Sequence, residues 1–343
     1  MTTMQDVAAI AGVSAKTVSR VFNNDPHVTN QTRERVQAAL RELNYVPNMM
    51  ARSFREGRSA VIGIAVPDVA DPFFAAVTKA IELAAREQNM AIVVTSLGDN
   101  PELEQGIIET TIRRQIDGLI LAPISGDQSY LSRWQDAFPI VFVDRAPANL
   151  KADYFVEDDF GGAFHATKHL IDHGHQRVAF IGDSTHIPTT RLRLEGYCAA
   201  LTDSGIAIAY DLIALGSRDA DAAARASNAL LSQPFPPTAI FSSNARFSIG
   251  VFPALHAVSR TDVALMSFGD FPMAEVLQPA VSVIDQNPRH VGRSAAERIL
   301  ARIAHPAARY RRANVVPVQL IERQSCQASP PLPTLPSPGL ATS

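Results

Sequence analysis

Cysteine is scarce in this sequence, and long apolar runs are missing. Cys198 and Cys326 are the only two cysteines among 343 residues. They are too far apart to form a Cys-x-x-Cys metal motif or a disulfide framework, which favours a reducing compartment. No apolar run reaches the roughly 20 residues of a membrane span, and the first residues lack the pattern of a secretion signal. We therefore expect a cytoplasmic protein with no membrane partner.

Charge is distributed unevenly along the chain. Residues 1–60 hold eight Lys or Arg and five Asp or Glu, which leaves 23 basic and 29 acidic residues for the remainder. A basic N-terminal segment on an acidic body is the asymmetry of a tethered nucleic-acid-binding module. The length also exceeds what one compact core supports, so two or three domains are expected.

The stretch Thr3–Asn24 predicts two short helices joined by a tight turn. Thr3 and Asp6 have the spacing of a capping box, Gly12 suits the end of the first helix, and Ser14 can cap a second helix over Ala15–Asn23. Apolar stripes face inward from Val7, Ile10 and Ala11 and from Val18, Val21 and Phe22, while polar residues (Lys16, Thr17, Ser19, Arg20 and Asn23) face outward. That face suits a DNA major groove. By itself it also fits an ordinary helical hairpin with a solvated face.

A third helix and a hinge follow. Gln31–Leu43 predicts a helix with Arg33, Arg35 and Arg41 outward, and Pro47 forces an extended exit. Asn48–Phe54 can form less than two helical turns, which is too short to be stable alone. We therefore predict a helix-turn-helix headpiece over residues 1–46 and a hinge helix with its linker over 47–58.

From Ala60 onward, short apolar strands alternate with amphipathic helices. This pattern predicts a doubly wound parallel α/β architecture. About 260 residues suffice for two such lobes, with a ligand cleft at the carboxyl ends of their strands. The predicted strands are Val61–Val66, Ala91–Thr95, Gly118–Leu121, Ile140–Val143, Val178–Ile181, Ala239–Phe241, Val263–Met266 and Val281–Ile284. The predicted helices are Pro72–Gln88, Pro101–Arg114, Phe160–His173, Arg191–Thr202, Ala220–Leu231, Arg246–Val258 and Pro288–Ile303.

Several motifs are specific to one family. The runs DVAAIAGVSAKTVSRVFNN, VTNQTRERVQAALRELNYVPN, ARSF and IGIAVPDVADPFF resemble the lactose-repressor (LacI/GalR) family of bacterial transcription regulators, as do FVDR, KHLIDHGHQRVAFIGD, TTRLRLEGY, PPTAIF and SFGDFP further on. The resemblance spans residues 2 to about 325. It implies two periplasmic-binding-protein-like lobes within 59–328, one from about 59–157 and 288–317, the other from about 158–287 and 318–328. The proline-rich tail, residues 329–343, is expected to be disordered.

The resemblance also implies a partner and its contacts. Family members bind a palindromic operator in double-stranded DNA as homodimers, with a tetramer as the alternative. Base contacts fall on Ala15, Lys16 and Arg20 in the major groove and on Phe54 in the central minor groove. Phe54 replaces the usual Leu, and its alternative role is packing between two hinge helices. Phosphate contacts fall on Ser14, Thr17, Ser19, Asn23, His27, Thr29, Thr32 and Tyr45.

The same resemblance places a small-molecule effector, a sugar or sugar derivative, between the lobes. Its expected contacts are Phe73, Phe74, Asp144, Arg193, Asn244 and Asp270. For one of the two phenylalanines, Phe74 in particular, a core position is the alternative. Ala245 and Gly269 stand where the family has acids, which favours a ligand with fewer hydroxyl donors or with its own negative charge.

Four histidines raise the question of a metal. His165, His169 and His173 are spaced four apart on one helix face, and His175 follows. No cysteine or suitably spaced acid accompanies them, so we predict neither a metal site nor a cofactor.

The sequence therefore predicts an effector-controlled transcription regulator, and specifically a repressor. The alternative is a cytoplasmic sugar-binding receptor without a DNA function, which the basic N-terminal segment argues against. An enzyme is not expected, because no GxGxxG motif after a strand, P-loop or GxSxG motif is present.

Overall fold

The computed structural model describes residues 3–22, 25–43 and 59–327. The chain divides into two compact units, Met1–Ser59 and Ala60–Ser343. The predicted hinge helix Asn48–Phe54 and the tail lie outside the described residues. So do three predicted DNA contacts, Asn23, Tyr45 and Phe54.

The first unit contains α1 (Met4–Ala11), α2 (Ala15–Phe22) and α3 (Asn30–Glu42). The predicted capping box is present, with Thr3 and Asp6 each satisfying the other's backbone N–H, and Gly12 adopts the left-handed φ of 60°. A small apolar core joins the helices and consists of Val7, Ala8, Ala11, Val18, Val21, Val36 and Ala39. Ile10 is 47% exposed, so its predicted inward orientation is wrong. Ala8 is the residue that completes the buried stripe of α1.

Two arginines of α3 form hydrogen bonds within this unit. Arg35 donates to the carbonyl oxygen of Ala11 at 2.6 Å and so satisfies an end of α1. Arg33 donates to the carbonyl oxygen of Asp25 at 2.9 Å. Arg33 is half-buried, so its predicted outward orientation is wrong, whereas Arg35 is exposed as predicted. Both bond turn carbonyls, which need donors that the helices do not supply.

The second unit has the predicted α/β alternation. Its helices are α4 (Pro72–Glu87), α5 (Glu104–Ile112), α6 (Asp159–Asp172), α7 (Pro188–Asp203), α8 (Ala220–Leu231), α9 (Ala245–Ala257) and α10 (Pro288–Ala304). Its strands are β1 (Val61–Val66), β2 (Ala91–Ser96), β3 (Gly118–Leu121), β4 (Ile140–Val143), β5 (Asp153–Glu157), β6 (Val178–Ile181), β7 (Ile213–Ala214), β8 (Ala239–Ser242), β9 (Ala264–Phe268), β10 (Ser282–Asp285), β11 (Ala313–Val316) and β12 (Gln319–Ile321). Every predicted strand and helix of this unit is present, whereas β5, β7, β11 and β12 were not predicted.

The strands form two sheets, as expected for the fold class. One sheet has the order β11-β5-β4-β3-β1-β2 and the other β12-β10-β9-β8-β6-β7. All pairs of the first sheet are parallel. In the second sheet only β12 runs antiparallel, to β10, so both sheets are dominated by parallel pairs as predicted.

The chain passes between the two sheets at three places. It leaves the first sheet after β5 and begins α6, which packs on the second sheet through Ala163, Ala166 and Leu170. It returns after β10 to α10, which packs on the first sheet through Val291 and Ile299. It passes again between β11 and β12. Helices thus pack on both sheets. No helix among the described residues is long and apolar enough to span a membrane.

Close helix packing depends on one glycine of α9. A Cβ at Gly250 would lie 1.9 Å from the carbonyl oxygen of Ala220 at the start of α8. Because backbone atoms are the obstacle, no rotamer change can make room. We expect Gly250→Ala to lower the free energy of unfolding by about 1–3 kcal/mol, the usual cost of overpacking.

The matched control is Gly106→Ala in α5, where nothing lies within 4 Å of the added Cβ. There the substitution should stabilise by about 0.5–1 kcal/mol, because it restricts the unfolded chain. Urea denaturation of both variants measures the two effects. Equal changes in both variants would contradict the close-packing explanation.

Candidate nucleic-acid interface and effector cleft

The polar face of α2 begins at a hydrogen-bonded cap. The Oγ of Ser14 accepts from the backbone N–H of Thr17 at 3.1 Å and lies 2.9 Å from the Oγ1 of Thr17. Lys16 and Arg20 follow one turn apart, and both are exposed. Ala15 is half-buried against the apolar core of the headpiece. The helix therefore presents two long cations side by side, and both can reach guanine acceptors in a major groove.

Asp25 fixes the orientation of Arg20. The Nε of Arg20 donates to the Oδ2 of Asp25 at 2.8 Å. The backbone N–H of His27 donates to the Oδ1 of Asp25 at 2.9 Å, and the His27 ring contacts the same oxygen. These bonds, first that from the His27 backbone, lower the pKa of Asp25 to about 2. A permanently ionised Asp25 holds Arg20 by one nitrogen and leaves the rest of its fork for a partner.

A second hydroxyl pair caps α3. The Oγ1 of Thr29 accepts from the backbone N–H of Thr32 at 3.3 Å and lies 2.9 Å from its Oγ1. Helix N-termini attract phosphates through free N–H groups and the helix dipole. The predicted phosphate contacts Ser14, Thr17, Thr29 and Thr32 thus lie at two helix starts, while Ser19 is half-buried on α2 and the side chain of His27 is exposed.

In the second unit, the carboxyl edges of the two sheets face one another. Arg246, the second residue of α9, lies 3.6 Å from Asp68, which follows β1. Arg218, which follows β7, lies 3.8 Å from Asp99, which follows β2. Each ion pair joins the carboxyl edge of one sheet to that of the other, so a cleft lies between these edges.

Arg193 of α7 is buried on the side of this cleft that the second sheet forms. Its Nε donates to the Oδ1 of Asp159 at 2.7 Å, and its NH1 donates to the carbonyl oxygen of Ser243 at 2.7 Å. The guanidinium carbon also lies 3.9 Å from the centroid of the Phe268 ring. A buried guanidinium fixed on three sides is a rigid donor for ligand oxygens.

Carboxyl groups gather at the ends of β4 and β5. Asp144 follows β4 with a φ of 64°, is buried, and lies 3.1 Å from the Nε of Arg145. Glu157 ends β5, and neither of its buried carboxylate oxygens has a hydrogen-bond partner among the described residues. Burial first, then the charges of Asp144 and Asp159, raise the pKa of Glu157 well above its usual value.

Burial also raises the pKa of two neighbouring acids. The pKa of Asp159 rises to about 6 despite the opposing charge of Arg193. The pKa of Asp71, the N-cap of α4, rises as well, although Arg246 opposes the shift. Sequence reasoning missed Asp71, Glu157, Asp159 and Arg246. A usable signal was the acidic run Glu157–Asp159 directly after an apolar strand.

The other predicted effector contacts have structural partners of their own. Asn244 is the N-cap of α9 and accepts from the backbone N–H of Arg246 at 2.7 Å. Both oxygens of Asp270 are bound by Arg323, at 3.0 and 2.7 Å. Phe73 and Phe74 are buried in the apolar core of the first sheet, with ring centroids 5.1 Å apart. The predictions that these four side chains contact a ligand stay predictions.

Gly269 explains why an acid is absent beside Asp270. Its φ is 95°, a region that side chains rarely adopt, and a Cβ there would lie 2.7 Å from the Oε1 of Gln286. The fold therefore disfavours any side chain at this position.

A basic helix-turn-helix unit joined to a two-lobed α/β unit with a polar cleft defines an effector-binding transcription regulator. Residues 3–48 match the family model of bacterial regulatory proteins of the lacI family. Residues 59–324 match the model of periplasmic binding proteins and the sugar binding domain of the LacI family. The chain belongs to the LacI family, and its function is effector-regulated, DNA-binding transcriptional repression.

Individual relatives support this assignment along nearly the whole chain. The ribose operon repressor of Escherichia coli is 32% identical over 331 residues, covering 95% of this chain and all of that protein. The transcriptional repressor CytR of Escherichia coli is 31% identical, covering 85% of this chain and 87% of that protein. Among solved structures, the Lac repressor dimer bound to operator and the anti-inducer ONPF aligns with a TM-score of 0.83 and 26% identity, covering 95% of this chain and 99% of that chain.

The unpartnered carboxyl of Glu157 makes stability depend on pH. Its pKa is raised in the folded state, so the folded protein retains a proton that the unfolded chain releases above about pH 4.5. Stability should therefore fall as the pH rises above that value. Glu157→Gln removes this proton release, so the difference in Tm between the variant and the wild type should shift in favour of the variant as the pH rises above about 4.5.

The control is the exposed Glu102→Gln, which should leave the pH profile unchanged. Because glutamine also needs hydrogen-bond partners, the change of Tm with pH decides the outcome rather than its absolute value. If Tm changes with pH in the same way in the wild type and in Glu157→Gln, the raised pKa of the Glu157 carboxyl is contradicted.

Proposed function

We propose that this chain is a homodimeric repressor that binds a palindromic operator and takes a pentose of the ribose type as its effector. It works in the cytoplasm and catalyses no reaction. The observation that carries the ligand class is the fixed guanidinium of Arg193 beside the carboxyl groups of Asp144, Glu157 and Asp159. Vicinal hydroxyls both donate and accept, so they need donors and acceptors together.

Relatives support the choice of sugar. The ribose operon repressor of Haemophilus influenzae is 33% identical and covers 91% of this chain, in addition to that of Escherichia coli. A protonated Glu157 can donate as well as accept, which suits a neutral polyol better than an anion. We therefore favour a neutral pentose over a ligand with its own negative charge.

On DNA, Lys16 and Arg20 read bases and the two capped helix starts hold phosphates. Effector control follows from lobe closure. A ligand that binds both edges of the cleft favours one spacing of the lobes, and the ion pairs Arg246–Asp68 and Arg218–Asp99 form only at a suitable spacing. A coupling free energy of about 1–3 kcal/mol suffices to change operator affinity about 5–150-fold.

Base reading by Lys16 can be separated from simple charge attraction. Lys16→Ala should weaken operator binding by about 1–3 kcal/mol and relax the preference at one position of each half-site. The control Arg41→Ala removes an exposed cation from α3 and should leave that preference unchanged. Gel-shift titration against single-base operator variants, at one stated salt concentration, measures both.

A uniform loss of affinity across all operator variants would make Lys16 a phosphate contact. Absence of specific binding to the DNA upstream of the chain's own operon, both with and without sugar, would contradict the repressor and favour the sugar-binding receptor.

The effector site can be tested through Arg193. Arg193→Lys keeps the charge but loses the planar fork, so ribose affinity should fall at least about tenfold. Operator binding without sugar should stay unchanged. The control is Arg191→Lys on the same helix, whose side chain is exposed and pairs with Glu195 at 3.3 Å.

Isothermal titration with ribose, xylose and glucose measures affinity and selectivity. Tighter binding of glucose than of either pentose would contradict the proposed ligand class. An equal loss of ribose affinity in Arg193→Lys and Arg191→Lys would instead show that Arg193 does not contact the sugar.

A further inference from the structure

Two histidines and one acid meet away from the cleft. His169 and His173 lie one turn apart near the C-terminal end of α6, with ring centroids 4.3 Å apart. Glu322 directly follows the antiparallel edge strand β12, which packs along α6. One nitrogen of each ring and one oxygen of Glu322 all lie within 4.8 Å of one another.

The backbone fixes the tautomer of His173. Its Nδ1 lies 2.8 Å from the carbonyl oxygen of His169. A carbonyl oxygen only accepts, so Nδ1 donates and Nε2 carries the lone pair of the neutral ring. This Nε2 points toward Glu322, whose Oε1 is 3.6 Å away. A ring held by an Nδ1–H bond to a carbonyl is the usual arrangement of a metal-binding histidine.

His169 supplies an unsatisfied nitrogen. Its Nε2 is buried and has no hydrogen-bond partner in the part of the chain that the structure describes. A buried polar atom without a partner is unfavourable unless a ligand or ion satisfies it. The helix thus presents one oriented and one unpaired imidazole on the same face.

We propose that His169, His173 and Glu322 form a binding site for a divalent transition-metal ion of the zinc and nickel class. Two imidazoles and one carboxylate match the ligand preference of these ions and leave a coordination position for water. Bonds of about 2.0–2.1 Å require the three ligand atoms to approach to roughly 3.3–3.5 Å. The side chains of His173 and Glu322 are 31% and 46% exposed, so they are free to move inward.

This proposal replaces the sequence-based expectation that no metal binds. That expectation rested on the lack of an acid near the histidines in sequence. The acid comes instead from the far end of the fold, after the chain has crossed to β12. A metal here would tie the last turn of α6 to that strand and would stabilise the folded state, because the unfolded chain does not hold the three ligands together.

The test uses the full-length chain without an affinity tag. Equilibrium dialysis against Zn²⁺ and, separately, Ni²⁺ gives stoichiometry and affinity, and thermal unfolding gives the accompanying rise in Tm. We expect one saturable site per chain. His173→Ala and Glu322→Gln should each weaken binding roughly tenfold or more and remove the rise in Tm.

The matched control is His165→Ala, which removes the exposed histidine one turn before His169 on the same helix. It should bind metal like the wild type. If His173→Ala fails to fold, Glu322→Gln still tests the site, because Glu322 is half-exposed and lies outside the helix. The absorption spectrum of bound Co²⁺ should change in Glu322→Gln if the carboxylate is a ligand.

Two results would overturn the proposal. One is the absence of saturable Zn²⁺ or Ni²⁺ binding to the wild type, which would leave an ordinary pairing of His173 with Glu322. The other is binding that survives both His173→Ala and Glu322→Gln, or that is lost in His165→Ala, which would place the metal elsewhere.

Discussion

The cleft of the second unit depends on one buried cation. Arg193 joins α7 to Asp159 at the start of α6, to the carbonyl of Ser243 after β8, and to the Phe268 ring of β9. Removing a guanidinium from water is unfavourable unless hydrogen bonds and an opposite charge replace the lost hydration. Asp159 lies just past the first crossing between the sheets. The partners of Arg193 thus fix the carboxyl edge of the second sheet where the chain enters it.

The facing edge of the first sheet adds buried carboxyl groups, Asp144 after β4 and Glu157 at the end of β5. Asp144, Glu157 and Asp159 interact through the low-dielectric interior, and Glu157 has no donor among the described residues. Burying the charged form of Glu157 is unfavourable, and protonation lowers that cost because it leaves a neutral acid in the cleft. Such a group suits exchange of hydrogen bonds with a hydroxyl-rich ligand. Local instability at this edge is thus consistent with a binding site, because ligand atoms can supply the missing partners.

Sequence periodicity predicted the elements that carry apolar runs, and it missed those whose burial depends on distant neighbours. β5 (DYFVE) bears acids at both ends, and Arg302 binds its Asp153 through two nitrogens, at 2.9 and 3.1 Å. β11 and β12 are short edge strands with polar residues, which no local pattern separates from loops. Motif resemblance predicted ligand contacts for Arg193 and Asp144, and both residues are buried at the carboxyl edges of the sheets; their contact with a ligand stays a prediction. The resemblance could not locate Glu157 or Glu322, because their surroundings come from elements far apart along the chain.

In the headpiece, one acid has an equally central role. Asp25 accepts from Arg20, from the His27 backbone and from the His27 ring, and its low pKa keeps it ionised at any physiological pH. A carboxylate beside Arg20, which we propose to read bases, repels phosphate, so it cannot increase affinity for DNA in general. Its effect is to restrict the rotamers of Arg20 before DNA arrives, which reduces the entropy lost on binding. This arrangement suits the proposed base reading by Arg20 better than non-specific attraction to the DNA backbone.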